Sequence, residues 1–198
     1  MGSALDILLP KILEAEHSFK IITFQGKADL LVNLPRRLEG YKRWIPNDFL
    51  IVVVVDRDKD DCLRLKARLE SIASQKGLTT KSASRGQEHI HVLNRIVVEE
   101  LEAWFFGDVQ AISEAYPGVP ATLASRSRFR EADNIRGGTW EALEKVLQDA
   151  GYYSTGLPKI ETAQRISMKM EPQRNRSKSF LCFIDGLIEC IKINTASD

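Results

Sequence analysis

Residues 51–61 read IVVVVDRDKDD, a run of β-branched residues that ends in a group of aspartates. The five consecutive β-branched residues are apolar on both faces, which is typical of a strand buried on both sides in a parallel sheet covered by helices. Asp56 and Asp58 then follow at the carboxyl end of this strand, where open α/β sheets bind their ligands. The stretch therefore predicts an α/β fold with a ligand site at this end of the strand.

Asp56 and Asp58 are the candidate metal ligands. In an extended chain, residues two apart project to the same side, so both carboxylates can share one ion. Mg²⁺, or Mn²⁺ in its place, keeps several waters and needs only one or two protein carboxylates beside a substrate phosphate. For Asp60 and Asp61, which directly precede a helical pattern, helix capping is the competing interpretation, because an aspartate there accepts bonds from free N–H groups.

The periodicity of apolar residues predicts alternating helices and strands in the first half of the chain. Helices are predicted over 1–16, through Leu30 to Tyr41, and over 61–75, and strands over 19–24, 51–55, 79–83 and 91–98. After Gly107 the composition changes, and helices are predicted over 139–150, 158–170 and 177–191. We expect an α/β core over residues 1–107 and a mainly helical C-terminal extension, packed on it, over 108–198.

The charge and the cysteines exclude several classes of protein. The formal net charge is +1, so no general basic field indicates a nucleic-acid or membrane partner. The three cysteines are odd in number and form no CxxC pair, which favours free thiols in a reducing compartment. No apolar run approaches the length of a membrane span. We expect a cytoplasmic protein without a membrane partner.

The spacing of the acidic residues excludes two familiar sites. The run begins like an EF-hand calcium loop. However, Asp61 occupies the position where that loop has its turn glycine, and Ala67 occupies the position of its last glutamate. A Walker B strand would require a GxxxxGK[ST] loop, and the sequence contains none. A phosphatase of the haloacid dehalogenase type remains a minor alternative; it predicts hydrolysis of an aryl phosphate that is lost in Asp56→Asn.

Two basic clusters in the second half carry alternating cations that suit phosphate. They are Arg126, Arg128 and Arg130, and Arg174, Arg176 and Lys178. Their competing interpretation is a solvated loop or ion pairs to neighbouring acids, and the second cluster is the better candidate for binding nucleic acid. His89 and His91 would face one way on a strand as a soft-metal pair, but the sequence offers no third ligand.

Four sequence blocks in this order carry a resemblance to a known family. They are FQGK at 24–27, VDRD at 55–58 with Asp61 and Cys62, ELEAW at 100–104, and NRSKSF at 175–180. Together they resemble a bacterial family of unknown function that is related to the Toprim domain and found near ATPase genes in defence islands. The likeness extends from Leu5 to about Leu187. It implies a Toprim-like open, mostly parallel sheet flanked by helices, with a helical C-terminal part.

The resemblance also implies roles for acidic residues. In Toprim enzymes two aspartates hold Mg²⁺, which here are Asp56 and Asp58, and a glutamate after the first strand acts as acid or base. The quoted sequence begins in the helix that follows that strand, so Glu100 and Glu102 are our candidates for the catalytic group. Their competing role is a charged first helical turn. A sheet without the earlier strand would expose an edge and favour self-association.

The resemblance thus implies a Mg²⁺-dependent nuclease or phosphodiesterase that acts on nucleic acid with an ATPase partner in bacterial defence. The alternative is a non-catalytic Toprim-like binding subunit of such a system.

Overall fold

A computed structural model of the chain describes residues 1–46, 48–86 and 89–196. The strands of this described part are β1 (Ile51–Asp56) and β2 (Val92–Val97). Its α-helices are α1 (Gly2–Ile12), α2 (Gly26–Lys42), α3 (Cys62–Gln75), α4 (Glu102–Gly107), α5 (Val109–Ala115), α6 (Thr139–Asp149), α7 (Lys159–Lys169) and α8 (Lys178–Ala196). The fold is mixed α/β, with a small two-stranded parallel sheet flanked by helices and a helical C-terminal part.

The strand predicted over 51–55 is confirmed, but its burial on both sides is only partial, because Val52 and Val54 are partly exposed. β1 pairs with β2 in parallel, from Ile51 opposite Val92 to Asp56 opposite Val97. Val53 and Val55 are buried in β1, in a core cluster that also contains residues of α2 and α3. Asp56 closes the strand, so the acidic residues do follow its carboxyl end.

The helix that follows the acidic run is also confirmed. Asp61 is the N-cap of α3 and accepts a hydrogen bond of 2.7 Å from the backbone N–H of Arg64. Gly77 follows the helix with φ +66°, the left-handed conformation that glycine adopts without steric cost. Gly137 and Gly138, with φ +85° and +90°, likewise precede α6, which begins at Thr139 as predicted.

Two predicted strands are wrong. Residues 19–24 contain no strand, although their composition is typical of one. A strand requires hydrogen bonds to a neighbouring strand, and in the described residues only β1 and β2 pair with each other to form a sheet. Residues 79–83 contribute a single bridge from Thr80 to Val92 and then turn.

The chain forms two compact units. One consists of Met1–Thr23 and Val98–Leu181, and the other of Phe24–Val97 and Cys182–Asp198. We call them the helical unit and the sheet unit. The division into an α/β core over 1–107 and a helical extension over 108–198 stays a prediction. The three cysteines are free thiols. Among the described residues, every helix is too short or too polar to span a lipid bilayer.

Candidate functional site

The acidic loop, residues 56–61, follows β1 in the sheet unit and leads into α3. Asp58 has φ +50°, a left-handed conformation that aspartate tolerates better than most residues. β1 ends at Asp56. The alternation of side chains that would place Asp56 and Asp58 on the same side of a strand therefore does not extend to Asp58. The turn instead directs Asp58 and Asp60 toward the same cation.

That cation is the ammonium group of Lys27, the second residue of α2. Its Nζ lies 2.7 Å from Oδ2 of Asp58 and 2.7 Å from Oδ2 of Asp60. It also donates to the backbone carbonyl oxygen of Arg57 at 2.8 Å, and the carbonyl oxygen of Asp56 lies 3.4 Å away. Four oxygen atoms from one short loop thus surround a single positive charge.

The electrostatics of this cluster are uneven. Burial alone would lower the pKa of Lys27, but hydrogen bonds and charge attraction from Asp58 and Asp60 outweigh it and hold the pKa above the ordinary 10.5. Two carboxylates face one ammonium group, so the three groups carry a net charge of −1. The Lys27 side chain is 19% exposed, whereas those of Asp58 and Asp60 are 48% and 51% exposed. The outer side of the cluster is therefore open to solvent.

Sequence reasoning placed Asp60 differently. Its predicted capping role belongs to Asp61 alone, and Asp60 pairs with Lys27. The assignment of Asp56 and Asp58 as metal ligands stays a prediction. Across residues 1–46, 48–86 and 89–196, no group of three or more histidine, cysteine, aspartate or glutamate side chains is placed to hold a metal ion.

Glu100 and Glu102 lie in the helical unit. Oε2 of Glu100 accepts hydrogen bonds of 3.1 Å from Oγ1 of Thr139 and 3.1 Å from the backbone N–H of Trp140. Since the N-cap of α6 is Gly138, which has no side chain, Glu100 supplies the cap from a distant part of the sequence. Glu102 is the first residue of α4, where an acidic group suits the helix dipole. Their catalytic roles stay predictions.

The three cations predicted to bind nucleic acid lie in different surroundings. Nε and Nη2 of Arg174 donate to the two carboxylate oxygens of Asp108, at 2.7 and 3.0 Å. The Lys178 ammonium group lies 3.3 Å from Glu131 and is largely exposed, as is Arg176. Arg174 thus forms an ion pair with a neighbouring acid, which was the competing interpretation of this cluster. The nucleic-acid role of this cluster stays a prediction.

Asp108 is a buried anchor that sequence reasoning missed. Its side chain caps α5 through the N–H of Ala111 and also accepts a 3.0 Å hydrogen bond from the N–H of Glu171. The residue is 2% exposed. The bonds to Glu171 and Arg174 join positions more than sixty residues apart, so no local pattern identifies them.

Lys27 was also missed as a site residue, although a signal was present. Lysine is unfavourable in the first turn of a helix, at the positive end of its dipole, and its presence there favours a nearby negative partner. The other predicted pair, His89 and His91, has ring centroids 4.8 Å apart. Nδ1 of His91 accepts a hydrogen bond from the N–H of Thr79, which occupies one of its two possible ligand atoms.

The fold and the acidic loop define the class: a mixed α/β protein with a parallel strand pair, in which β1 is followed by an acidic loop that pairs with the ammonium group of a lysine, Lys27. Within that class, the family model described as "Domain of unknown function (DUF4276)" matches residues 1–188. The chain belongs to this family. No curated protein and no solved structure gives a significant match.

Proposed function

We propose that this chain is a metal-dependent phosphodiesterase of the Toprim-like kind, a nuclease that uses Mg²⁺ or Mn²⁺ at the acidic loop. The observation that carries the proposal is the convergence of two carboxylates and two backbone carbonyls on one cationic position. Hard divalent cations take oxygen ligands of these two kinds.

The donor set fits Mg²⁺ better than a softer metal. All the converging atoms are oxygens, and the acidic loop contains no histidine. Mg²⁺ retains waters and is commonly bound by one or two carboxylates together with substrate phosphate. The half-exposed side chains of Asp58 and Asp60 leave room for those waters and for a phosphodiester.

The residues of the loop would have distinct roles. Asp58 and Asp60 would supply carboxylate oxygens, and Asp56, the last residue of β1, would complete the acidic set predicted from the sequence. A bound divalent ion polarises a phosphodiester and lowers the pKa of bound water. The nucleic-acid substrate, the ATPase partner and the setting in bacterial defence rest on the sequence resemblance alone.

The direct test is a calorimetric titration with Mn²⁺. We expect binding by the native chain, and loss of that binding in Asp58→Asn and in Asp60→Asn. Asparagine keeps the size of the side chain and tolerates the left-handed backbone at position 58, so folding is preserved. The matched control is Asp149→Asn, which removes another half-exposed aspartate that is paired with a lysine, Lys145.

Hydrolysis of a bis-aryl phosphodiester and of single-stranded and double-stranded DNA is then measured with the same variants. Activity that requires Mn²⁺ and is lost in Asp58→Asn, but not in Asp149→Asn, supports the proposal. A native chain that binds no divalent ion at millimolar concentration overturns it.

A second function is favoured by specific contacts. Lys27 already satisfies two of the carboxylates, and Glu100 caps a helix. These contacts suit a non-catalytic binding subunit that retains the acidic loop as structure. Under this alternative, Asp58→Asn changes stability slightly and alters no divalent-ion binding.

Self-association is part of both candidate functions. In the described residues the sheet has two strands, and a strand edge without a partner favours pairing with another chain. Light scattering tests this expectation: a concentration-independent monomer mass contradicts it.

A further inference from the structure

The position of Lys27 suggests how the acidic loop is regulated. A lysine ammonium group has three N–H donors. The three shortest contacts of Nζ, to Asp58, Asp60 and the carbonyl of Arg57, lie at 2.7 to 2.8 Å and use all three donors. The ammonium group therefore occupies the point at which the oxygen atoms of the loop converge.

A divalent ion and the ammonium group cannot share this point. Mg²⁺ binds its oxygen ligands at about 2.0–2.1 Å, closer than the ammonium group approaches the same carboxylates. Two positive charges in contact repel each other, and at this point both would coordinate Oδ2 of Asp58 and Oδ2 of Asp60. An ion bound by these two oxygens would first have to displace Lys27.

The charges favour such an exchange. With Lys27 in place, Asp58 and Asp60 carry two negative charges against one positive charge, whereas a divalent ion would balance them fully. The lysine stem is flexible, so its ammonium group can leave by side-chain rotation. The two carboxylates are half exposed, so the incoming ion can reach them from solvent.

We propose that Lys27 is a built-in competitor for the cation position, and that a divalent ion takes the position between Oδ2 of Asp58 and Oδ2 of Asp60 only by displacing its ammonium group. The inference rests on the proposed function and adds its regulation. At low divalent-ion concentration Lys27 closes the loop and stabilises it. At high concentration the ion replaces Lys27 and releases a free ammonium group beside the site.

The first experiment compares Mn²⁺ binding by the native chain, Lys27→Met and Lys76→Met. Methionine retains the length of the stem and removes the charge. Lys76 is the matched control, because it also pairs with a half-exposed carboxylate of the sheet unit, Glu39, at 3.0 Å. We expect Lys27→Met to bind Mn²⁺ roughly tenfold more tightly than the native chain, and Lys76→Met to change less than about twofold.

The outcomes separate this inference from the proposed function. If the native chain binds Mn²⁺ and Lys27→Met binds it equally or more weakly, the competitor role is overturned and the metal site remains. If neither chain binds Mn²⁺, the metal site itself is overturned. Lys27→Gln, which is neutral but still donates hydrogen bonds, provides the same comparison if Lys27→Met does not fold.

A second experiment uses the native chain without any substitution. Lysine acylation by an amine-reactive ester is followed by peptide mass spectrometry, with and without Mg²⁺. We expect the rate at Lys27 to rise several-fold when Mg²⁺ binds, because the released amine is more accessible to the reagent, while the rate at Lys76 stays constant. An unchanged or lower rate at Lys27, at a Mg²⁺ concentration where calorimetry shows binding, overturns the inference.

Discussion

Asp108 in the helical unit and the acidic loop in the sheet unit both pair aspartate with a cationic side chain. They differ in the ratio of negative to positive charges and in the burial of the carboxylates. Asp108 is 2% exposed, meets the guanidinium group of Arg174 through both oxygens, and accepts two backbone N–H bonds. Asp58 and Asp60 are half exposed and share one ammonium group. The first cluster is complete without a ligand, whereas the second is left with excess negative charge that an added cation would neutralise.

The largest expected effect is on the buried cluster. Asp108→Ala removes the cap of α5, the carboxylate partner of the Arg174 guanidinium group and the acceptor of the Glu171 N–H. We expect the free energy of unfolding to fall by about 3 kcal/mol. Urea denaturation measures this change.

The contrasting change is Asp60→Ala, in the acidic loop. Because this carboxylate is half exposed and shares its lysine with Asp58, we expect a loss of less than about 1 kcal/mol in the absence of metal. Equal losses for Asp108→Ala and Asp60→Ala would contradict the distinction between a structural and an exchangeable cluster.

A second, smaller effect sharpens the structural side of the comparison. A Cβ atom at Gly107 would lie 2.0 Å from Oδ1 of Asn175 and 2.8 Å from the backbone nitrogen of Ser177. Gly107→Ala should displace the segment that carries Arg174 and cost about 2 kcal/mol, again measured by urea denaturation.

The control for this substitution is Gly40→Ala, in the sheet unit. Gly40 lies in α2, and a Cβ atom there would meet no heavy atom within 4 Å. Alanine at this position should raise stability by up to about 1 kcal/mol, because it favours the helix more than glycine does. If both substitutions changed the free energy of unfolding in the same direction, the close approach at Gly107 would not be the cause of the expected destabilisation.

The smallest effect is the pH dependence of the acidic loop. The pKa of Lys27 is raised above 10.5 in the folded chain, so its pairing contributes stability that is fully present below that pH and is lost as the pH rises through the folded value. We expect the stability difference between the native chain and Lys27→Met to be constant near neutral pH and to shrink above about pH 10.5.

This difference is measured by urea denaturation of both chains from about pH 8 to about pH 12. Subtracting one chain from the other removes the titration of other lysines and tyrosines, which both chains share. A difference that grows with pH would contradict the ion pairing of Lys27 with the acidic loop.

The sequence predicted the features that depend on local chemistry. The β-branched run predicted β1, and an aspartate directly before a helical pattern predicted the cap of α3, which is Asp61. The helix predicted over 139–150 is α6. Each of these depends on residues a few positions apart. The prediction that acidic residues follow a parallel strand belongs to the same group.

The features that the sequence did not predict depend on distant residues. Lys27 reaches Asp58 and Asp60 across about thirty positions, and Asp108 reaches Arg174 across sixty-six. The prediction of a strand at 19–24 was wrong for a related reason. The β-propensity of these residues is a local property, but a strand also needs a neighbouring strand to pair with, which propensity does not supply.

The most direct test of the central claim, that the acidic loop is an exchangeable cation site, is an anomalous diffraction map from crystals of the native chain soaked in Mn²⁺. The account predicts a peak between the carboxylates of Asp58 and Asp60, with the Lys27 ammonium group moved away from both. A map with no peak at this position, and with Lys27 still paired to both aspartates at millimolar Mn²⁺, would contradict it.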